Sequence, residues 1–254
     1  MQEYIDKKKE IQKEILSLFS ADQNGDSVDF SNFLKLIKDQ KILEDENEFR
    51  SLLHLICVIS NNHYRSPNFF GIIEKILLLF KDDLQKHLTN QEIIFIFKDN
   101  NRIILMLLEN KIIELNQLIK DSKYFAKEIK PFQKENPSKD TEDTKESDDD
   151  ELFKKKRRIG ENGHKICEII RNDKFDEFIT YTQTNNISFD YKIPSSIYET
   201  NLYLKNKEPT LIEYSAFYGS IQIFKYLQSK GALLTPSIWP YVVHGRNLDM
   251  INTL

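Results

Sequence analysis

Residues 22–32, with the sequence DQNGDSVDFSN, have the spacing of oxygen-bearing side chains closest to that of a calcium-binding loop. Calcium requires oxygen ligands at alternating positions, a glycine at the sharp turn and a bidentate glutamate at the end of the loop. If Asp22 supplies the first ligand, Ser27 stands where the glycine is required, and in the other register Asn32 replaces the glutamate. The same residues also fit a polar turn that caps a helix beginning at Phe30. No residue is therefore predicted to be a metal ligand, and a calcium-responsive helical module stays an alternative function.

A basic run at residues 154–158 follows an acidic segment and is a candidate nuclear-import signal. Its clustered cations would fit an acidic groove on an import carrier. Ser147, with Asp150 three residues later, resembles an acidophilic-kinase site, where a phosphate would add negative charge beside the basic run. The alternative is a solvated linker whose opposite charges attract each other. The candidate import residues are Lys154, Lys155, Lys156, Arg157 and Arg158.

Sequence patterns that carry enzymatic chemistry are missing. The five histidines are spread along the sequence, and no two lie within four residues of each other, so they form no helical metal pair. There is no G-x-S-x-G motif, no phosphate-binding glycine loop and no H-E-x-x-H motif. Carboxylates alternate with lysines, which is typical of solvated helix faces. We therefore predict a protein that is not an enzyme, with no catalytic residue, no cofactor and no small-molecule substrate, and with His54 in a structural role.

Composition narrows the class and the location. The net charge of −4 gives no general attraction to nucleic acid, and the aromatic residues lie in apolar stripes that core packing explains better than base stacking. The most apolar run, residues 103–108, is far shorter than the roughly 20 residues of a membrane span. Cys57 and Cys167 lie in apolar segments, as buried thiols in a reducing compartment do. We predict no nucleic-acid partner, no membrane span and a cytoplasmic location, with the nucleus as the alternative.

The helical periodicity of the sequence predicts the helices on which the candidate residues lie. The clearest unit is residues 210–232, TLIEYSAFYGSIQIFKYLQSKGA. Its two apolar bursts are separated by Gly219 and followed by Gly231, which predicts a helix, a glycine turn, a second helix and a glycine exit. Such a unit cannot bury its apolar face alone, so it predicts neighbours stacked on both sides.

Two less regular units flank the clearest one. Residues 163–186 contain two apolar bursts split by a polar turn, and a third unit begins with the segment PSIWPYVVHG. Aligned on the clearest unit, Ile170 and Val243 both match Ala216. About a dozen extra residues, 193–205, form an insertion between the first two of these units.

The remaining chain divides at a polar segment. Residues 1–130 are predicted to be an N-terminal helical region of degenerate helix–turn–helix units. Residues 134–150 contain no aromatic or aliphatic side chain, so they cannot bury enough apolar surface to offset the entropy of ordering. Residues 131–158 are therefore predicted to be a disordered acidic and basic linker.

Several segments together resemble a known family. LIEYSAFYGSIQIFKYLQSKG and LTPSIWPYVVHGRNLDMI are similar to ankyrin-repeat proteins that are multiplied in some parasitic protists. NNHYRSPNFFGIIEKILLLFKDD, ICEIIRNDKFDEFI and SIYETN resemble the N-terminal blocks of such proteins, so the resemblance covers most of the chain outside the acidic linker. It implies an all-α, helical-repeat (ankyrin-like) solenoid, protein–protein recognition and no catalytic residues. In such proteins a domain of unknown function precedes a longer array, so residues 159–254 are expected to be ankyrin-like repeats with an incomplete last one.

The resemblance also implies a contact surface. The concave face of an ankyrin array, formed by first helices and hairpin tips, usually contacts another protein. Packing between units is the alternative for Tyr214 and Phe217. We expect either further repeats or a partner protein to cover the end near Met250. The residues that the resemblance selects for contact are Glu213, Tyr214, Phe217, Tyr218 and Trp239.

Overall fold

A computed structural model describes the chain in five ranges: residues 2–23, 27–62, 68–115, 123–126 and 148–254. In these ranges the regular structure consists of fourteen α-helices and two short 3-10 helices, with no strand beyond a single bridge pair. The predicted all-α class is therefore confirmed. The chain forms two compact units, residues 1–139 (unit 1) and residues 140–254 (unit 2), and each has its own apolar core. None of the described helices is both long and apolar enough to cross a membrane.

Unit 1 is built from helices that pack around a phenylalanine-rich core. Helix α1 packs against α2, α3 and α4, while α6 contacts both α3 and α7. Phe33, Phe49 and Phe97 are fully buried at the centre. The region predicted to be helical therefore consists of helices in its described residues. Their bounds are α1 (Gln2–Gln23), α2 (Ser31–Asp39), α3 (Glu46–Asn61), α4 (Phe69–Leu79), α5 (Lys81–His87), α6 (Asn90–Phe97) and α7 (Asn101–Glu109), followed by a 3-10 helix at Lys123–Phe125.

Polar caps fix where the helices of unit 1 begin. The Thr89 hydroxyl accepts from the amide of Glu92, and the Glu92 carboxylate accepts from the amide of Thr89, so α6 starts with a capping box. Asp45 caps α3 in a similar way, because its carboxylate accepts from two amides of the first turn. The polar residues between the apolar bursts thus terminate one helix and start the next.

Unit 2 begins with helix α8, and its presence corrects the predicted linker. α8 covers Asp148–Ile159, so residues 148–158 are helical. The charge pattern explains this helix, because acidic residues lie at its N-terminus, basic residues lie at its C-terminus, and Lys154 pairs with Glu151 (3.2 Å). The rest of the predicted linker, residues 131–147, lies outside the described residues. The other helices are α9 (Lys165–Arg171), α10 (Phe175–Thr184), α11 (Leu211–Tyr218), α12 (Ile221–Ser229), α13 (Trp239–Gly245) and α14 (Leu248–Ile251), with a 3-10 helix at Pro236–Ile238.

The helices after α8 form three helix–turn–helix pairs: pair 1 (α9 and α10), pair 2 (α11 and α12) and pair 3 (α13 and α14). The first helices pack side by side in chain order, since α11 contacts both α9 and α13, and the second helices α10 and α12 also pack together. The helix–turn–helix predictions for all three segments are confirmed at the level of secondary structure. Ala216, Ile223 and Phe224 of pair 2 are fully buried, as their periodicity predicts.

The turn inside each pair contains one residue with a left-handed backbone. These residues are Asp173 (φ 47°), Gly219 (φ 62°) and Arg246 (φ 50°). They occupy equivalent positions in the alignment that matches Ile170 and Val243 to Ala216. A left-handed residue terminates a helix most easily when it is glycine, so Gly219 is the least strained of the three.

Hydrogen bonds from turn residues link each pair to its neighbour. The Ser220 hydroxyl donates to the carbonyl of Ile170 (2.5 Å), and the Asn247 amide group donates to the carbonyl of Gly219 (3.2 Å). Ser220 and Asn247 are equivalent positions of pairs 2 and 3. The Asp173 carboxylate accepts from two amides in the first turn of α12, both at 3.2 Å.

A long loop connects pair 1 to pair 2. Its ends meet at a bridge between Lys192 and Thr210, where the Ile193 amide also donates to the carbonyl of Pro209 (2.8 Å). We call residues 194–208, which lie between these ends, the strap. The strap begins within the predicted insertion and extends three residues beyond it.

Candidate functional site

The side chains predicted to contact a partner on α11 are mostly buried. Tyr214 and Phe217 are each 1% exposed, and Tyr218 is 8% exposed. They are covered in this conformation, so a contact with a partner would require their exposure. The burial of Tyr214 and Phe217 matches the alternative given for them, which is packing between neighbouring helix pairs. Glu213 is half-buried and caps α11 through Thr210.

Aromatic rings from the strap and from α13 cover Phe217. The His244 ring stacks on Phe217 with centroids 3.9 Å apart and an interplanar angle of 12°. The Tyr203 ring of the strap contacts both rings, with centroids 6.5 Å from Phe217 and 5.4 Å from His244. The strap therefore lies over the α11 face that the sequence predicted to be open.

A buried polar cluster surrounds the Arg171 guanidinium and includes the Tyr214 hydroxyl of α11. Arg171 pairs with Glu161 (2.9 Å) and donates to the Tyr214 hydroxyl (3.0 Å) and to the carbonyl of Asn162 (2.8 Å). Burial would lower the pKa of Arg171, but Tyr214 and Glu161 raise it, so the guanidinium stays charged. Burial raises the pKa of the Cys167 thiol, also in this cluster, to about 12. These groups hold the start of pair 1 against pair 2.

Glu199 of the strap enters the same cluster and is 3% exposed. Its carboxylate accepts from the amides of Asn162 (3.2 Å) and Asn201 (2.9 Å). Burial raises the pKa of Glu199 to about 7, against the two amide hydrogen bonds, which lower it. Next to it, Thr200 donates to the carbonyl of Gly160 through both its amide and its hydroxyl. Glu199 is thus a carboxyl group whose pKa is raised by burial.

His244 is perturbed in the opposite direction. Burial lowers its pKa to about 4, and Arg246 lowers it further, while a hydrogen bond to the backbone of Phe217 raises it. A neutral imidazole can stack on Phe217 without a charge to desolvate. Glu199 and His244 therefore both favour their neutral forms in the folded unit.

Trp239 is the predicted contact residue that remains accessible. Its side chain is 46% exposed, and Val243, one turn later on α13, is 62% exposed. Residues four apart lie on one face of a helix, so the two side chains form an apolar patch. Leu248 on α14 is 73% exposed and belongs to the same pair. Met250, which either further repeats or a partner protein was expected to cover, is fully buried in the core of unit 2.

The candidate import signal lies on α8 and differs from a flexible basic run. Arg157 is 2% exposed and packs over the ring of Phe153 (5.0 Å). Lys156 lies over the ring of Tyr198 in the strap (5.6 Å). The candidate signal thus belongs to a packed helix, whereas the candidate phosphosite Ser147 lies outside the described residues.

Only part of the candidate calcium loop belongs to the described residues. Positions 24–26 and the side chain of Asp22 lie outside them. Asp29 accepts from the amide (2.9 Å) and the hydroxyl (2.6 Å) of Ser31, and α2 begins at Ser31, one residue later than predicted. These two hydrogen bonds lower the pKa of Asp29. The predicted polar turn is thus present before α2, but the N-cap residue of the helix is Phe30, which makes no side-chain cap hydrogen bond.

A shallow groove in unit 1 runs between α3 and α6. Its volume is about 610 Å³, and Arg50, His54 and Phe95 lie along it. His54 lies in the middle of α3 and its side chain is exposed, which does not fit the structural role predicted for it. Arg50 is already paired with Glu46 (2.7 Å) and Glu92 (2.6 Å). The groove therefore offers no free cation for an anionic ligand.

Three residues of the site were missed from the sequence: Arg171, Glu199 and Tyr203. Arg171 is the last residue of α9, Glu199 and Tyr203 belong to the strap, and only long-range packing brings them to α11. One sequence signal could have revealed that α11 is covered, since its sequence LIEYSAFY is apolar on almost every side and such helices are buried. No family model matches the chain, and neither a curated protein nor a solved structure matches it.

Proposed function

We propose that unit 2 is a non-catalytic scaffold of the ankyrin type that binds another protein. The observation that carries the proposal is the arrangement of three helix pairs in chain order, each turned by a left-handed residue at an equivalent position (Asp173, Gly219 and Arg246). Stacked pairs hold a row of first helices in fixed relative positions, which suits the recognition of a folded surface or a peptide. Unit 1 is the helical domain that precedes the repeats in proteins of the resembling kind.

The accessible apolar patch on α13 is the proposed contact. Trp239 and Val243 combine an aromatic ring with an aliphatic side chain, and large aromatic side chains contribute most to protein interfaces. We further propose that the protein acts in the cytoplasm or the nucleus, without nucleic acid, cofactor or small-molecule substrate. The burial of Glu199 and Cys167 supports a structural use of these reactive groups, because neither can reach a substrate in this conformation.

Affinity capture from the native cell with the full chain as bait tests the proposal. Proteins retained by the wild type should be lost with Trp239→Ala or Val243→Ala, and the direct interaction should then be measured with the purified partner. Leu152→Ala, at a similarly exposed aliphatic residue on α8, is the matched control and should retain the partner. If the folded variants retain the partner as well as the wild type does, the proposed contact is wrong. If no protein binds the purified wild-type chain directly, the scaffold proposal fails.

A further inference from the structure

The strap occupies the face of α11 that stacked helix pairs would otherwise present. Its Tyr203 ring covers Phe217 and the adjoining His244 ring. Its Glu199 carboxyl group lies in the polar cluster and accepts from the Asn162 amide (3.2 Å). Leu204 is 3% exposed and belongs to the core of unit 2. One segment thus provides an acidic, an aromatic and an aliphatic contact within six residues.

These contacts resemble those of a bound peptide more than those of a structural element. The strap contains no helix or strand, and turns hold its shape: the Asn201 amide donates to Glu199, and the Tyr203 amide donates to the side-chain oxygen of Asn201 (2.9 Å). Two of its long-range hydrogen bonds go to main-chain groups, the Asn162 amide and the Gly160 carbonyl, and its Pro194 carbonyl accepts from the Asn162 side chain (3.0 Å). Ile197, Leu202 and Tyr203 remain at least 40% exposed on its outer side.

The ends of the strap meet, so it can leave its site without moving the helices. The loop is closed at its base by the bridge between Lys192 and Thr210 and by the hydrogen bond from the Ile193 amide to the Pro209 carbonyl. α11 begins immediately after this base, and the turn links between the helix pairs do not involve the strap. A detached strap would leave pairs 1, 2 and 3 connected as before.

We propose that the strap is a built-in ligand, and that the α11 face beneath it binds a partner peptide that carries a carboxylate four residues before an aromatic side chain. This inference rests on the proposed scaffold function and names the chemistry of a partner for it. The partner carboxylate would replace Glu199 at the Asn162 amide and beside Arg171, and its aromatic ring would replace Tyr203 on Phe217. Because the strap is tethered, a free peptide competes against a high effective concentration, so the intact chain binds such peptides weakly.

Removal of the strap and its return as a separate peptide test the proposal. In the full chain, residues 195–207 are replaced by Asn-Gly, which closes a two-residue hairpin on the existing bridge. A fluorescein-labelled peptide with the sequence SSIYETNLYLKNK is then titrated in an anisotropy assay. The peptide should bind the strap-free chain at least about tenfold more tightly than it binds the wild type, and its Glu199→Gln and Tyr203→Ala versions should each lose about tenfold in affinity. Equal binding to both chains, or equal binding of the three peptides, overturns the proposal.

Hydrogen exchange in the intact chain decides the case in which the strap-free chain does not fold. Strap amides such as those of Asn201 and Tyr203 should exchange at least about tenfold faster than those of α11, because a displaceable strap opens without global unfolding. Exchange at the same rate as α11 means that the strap is an integral part of the core and overturns the proposal. Neither measurement uses a partner protein. A failed strap test therefore leaves the patch at Trp239 as a contact, whereas a failed capture experiment leaves the strap result intact.

Discussion

Glu199 and His244 should give unit 2 two opposing dependences of stability on pH. The folded pKa of Glu199, about 7, lies above its ordinary value of 4.5, so its contribution to stability is complete below pH 4.5 and is lost as the pH rises through 7. The folded pKa of His244, about 4, lies below its ordinary value of 6.5, so its contribution is present above pH 6.5 and is lost as the pH falls through 4. In the wild type the two dependences oppose each other across nearly the same range.

The size of each effect follows from the separation of the folded and ordinary pKa values. Glu199 is almost fully buried, and its separation corresponds to about 3 kcal/mol of unfolding free energy lost between pH 4.5 and 7. His244 is only partly buried, so solvent screening reduces its effect to about 2 kcal/mol, gained between pH 4 and 6.5. We therefore expect the wild-type unfolding free energy to change by only about 1 kcal/mol from these two groups between pH 4.5 and 6.5.

Glu199→Gln and His244→Gln separate the two effects. Glu199→Gln leaves the histidine dependence, so the unfolding free energy should rise with pH, whereas His244→Gln leaves the glutamate dependence, so it should fall. Trp239 is the single tryptophan of the chain and lies in unit 2, so its fluorescence in urea titrations reports the unfolding of that unit. The slope against pH is the test, since both substitutions also change hydrogen bonds and thereby the absolute stability.

Asp190→Asn, at an exposed carboxylate of the same unit, controls for the loss of a surface charge. Its pH profile should run parallel to that of the wild type. Parallel profiles for Glu199→Gln, His244→Gln and the wild type would refute the reasoning, because they would mean that neither buried group changes its proton affinity on folding.

Three further predictions concern packing, capping and thiol chemistry. Gly245→Ala should destabilise unit 2 by about 1–3 kcal/mol in the urea assay, because the added methyl group would lie 2.1 Å from the Ala216 carbonyl oxygen of α11. Gly163→Ala is the control: its added methyl group would have its nearest neighbour at 3.5 Å, so the unfolding free energy should change little. Thr89→Ala should reduce the protection of α6 amides from hydrogen exchange by about 1 kcal/mol through loss of the capping box, while Ser17→Ala within α1 should leave them unchanged. Burial raises the pKa of Cys57 to about 11 and that of Cys167 to about 12, so neither thiol should react with a disulfide reagent at pH 8 until urea unfolds the chain; rapid labelling of the native protein would contradict this.

Local patterns predicted most helices of unit 2, because residues close in sequence determine where these helices end. Gly219 and Gly231 mark the ends of α11 and α12, and both have positive φ angles (62° and 82°). α8 was missed because its charged composition resembles a linker, although the order of its charges favours a helix. Composition describes a segment as a whole, whereas helix stability depends on which end carries which charge.

The covering of α11 could not be predicted from local patterns. Tyr214 and Phe217 are buried by side chains that lie far along the sequence, among them Arg171, Tyr203 and His244. The strap that supplies Tyr203 was recognised as an insertion, but an insertion can project into solvent or fold back on the stack. The choice depends on buried hydrogen bonds such as that between the Asn162 amide and Glu199, which have no periodic signature.

The hydrogen bonds that turn residues make between helix pairs offer an account of how these segments can differ so much in sequence. Each of these bonds joins one side chain to main-chain atoms: Ser220 and Asn247 to carbonyls of the preceding pair, and Asp173 to amides of the following one. Every residue type supplies a carbonyl, so such a bond restricts the amino acid on one side only. Substitutions can therefore accumulate in one segment without a compensating change in the next. The register between neighbouring helix pairs can thus persist while their sequences diverge.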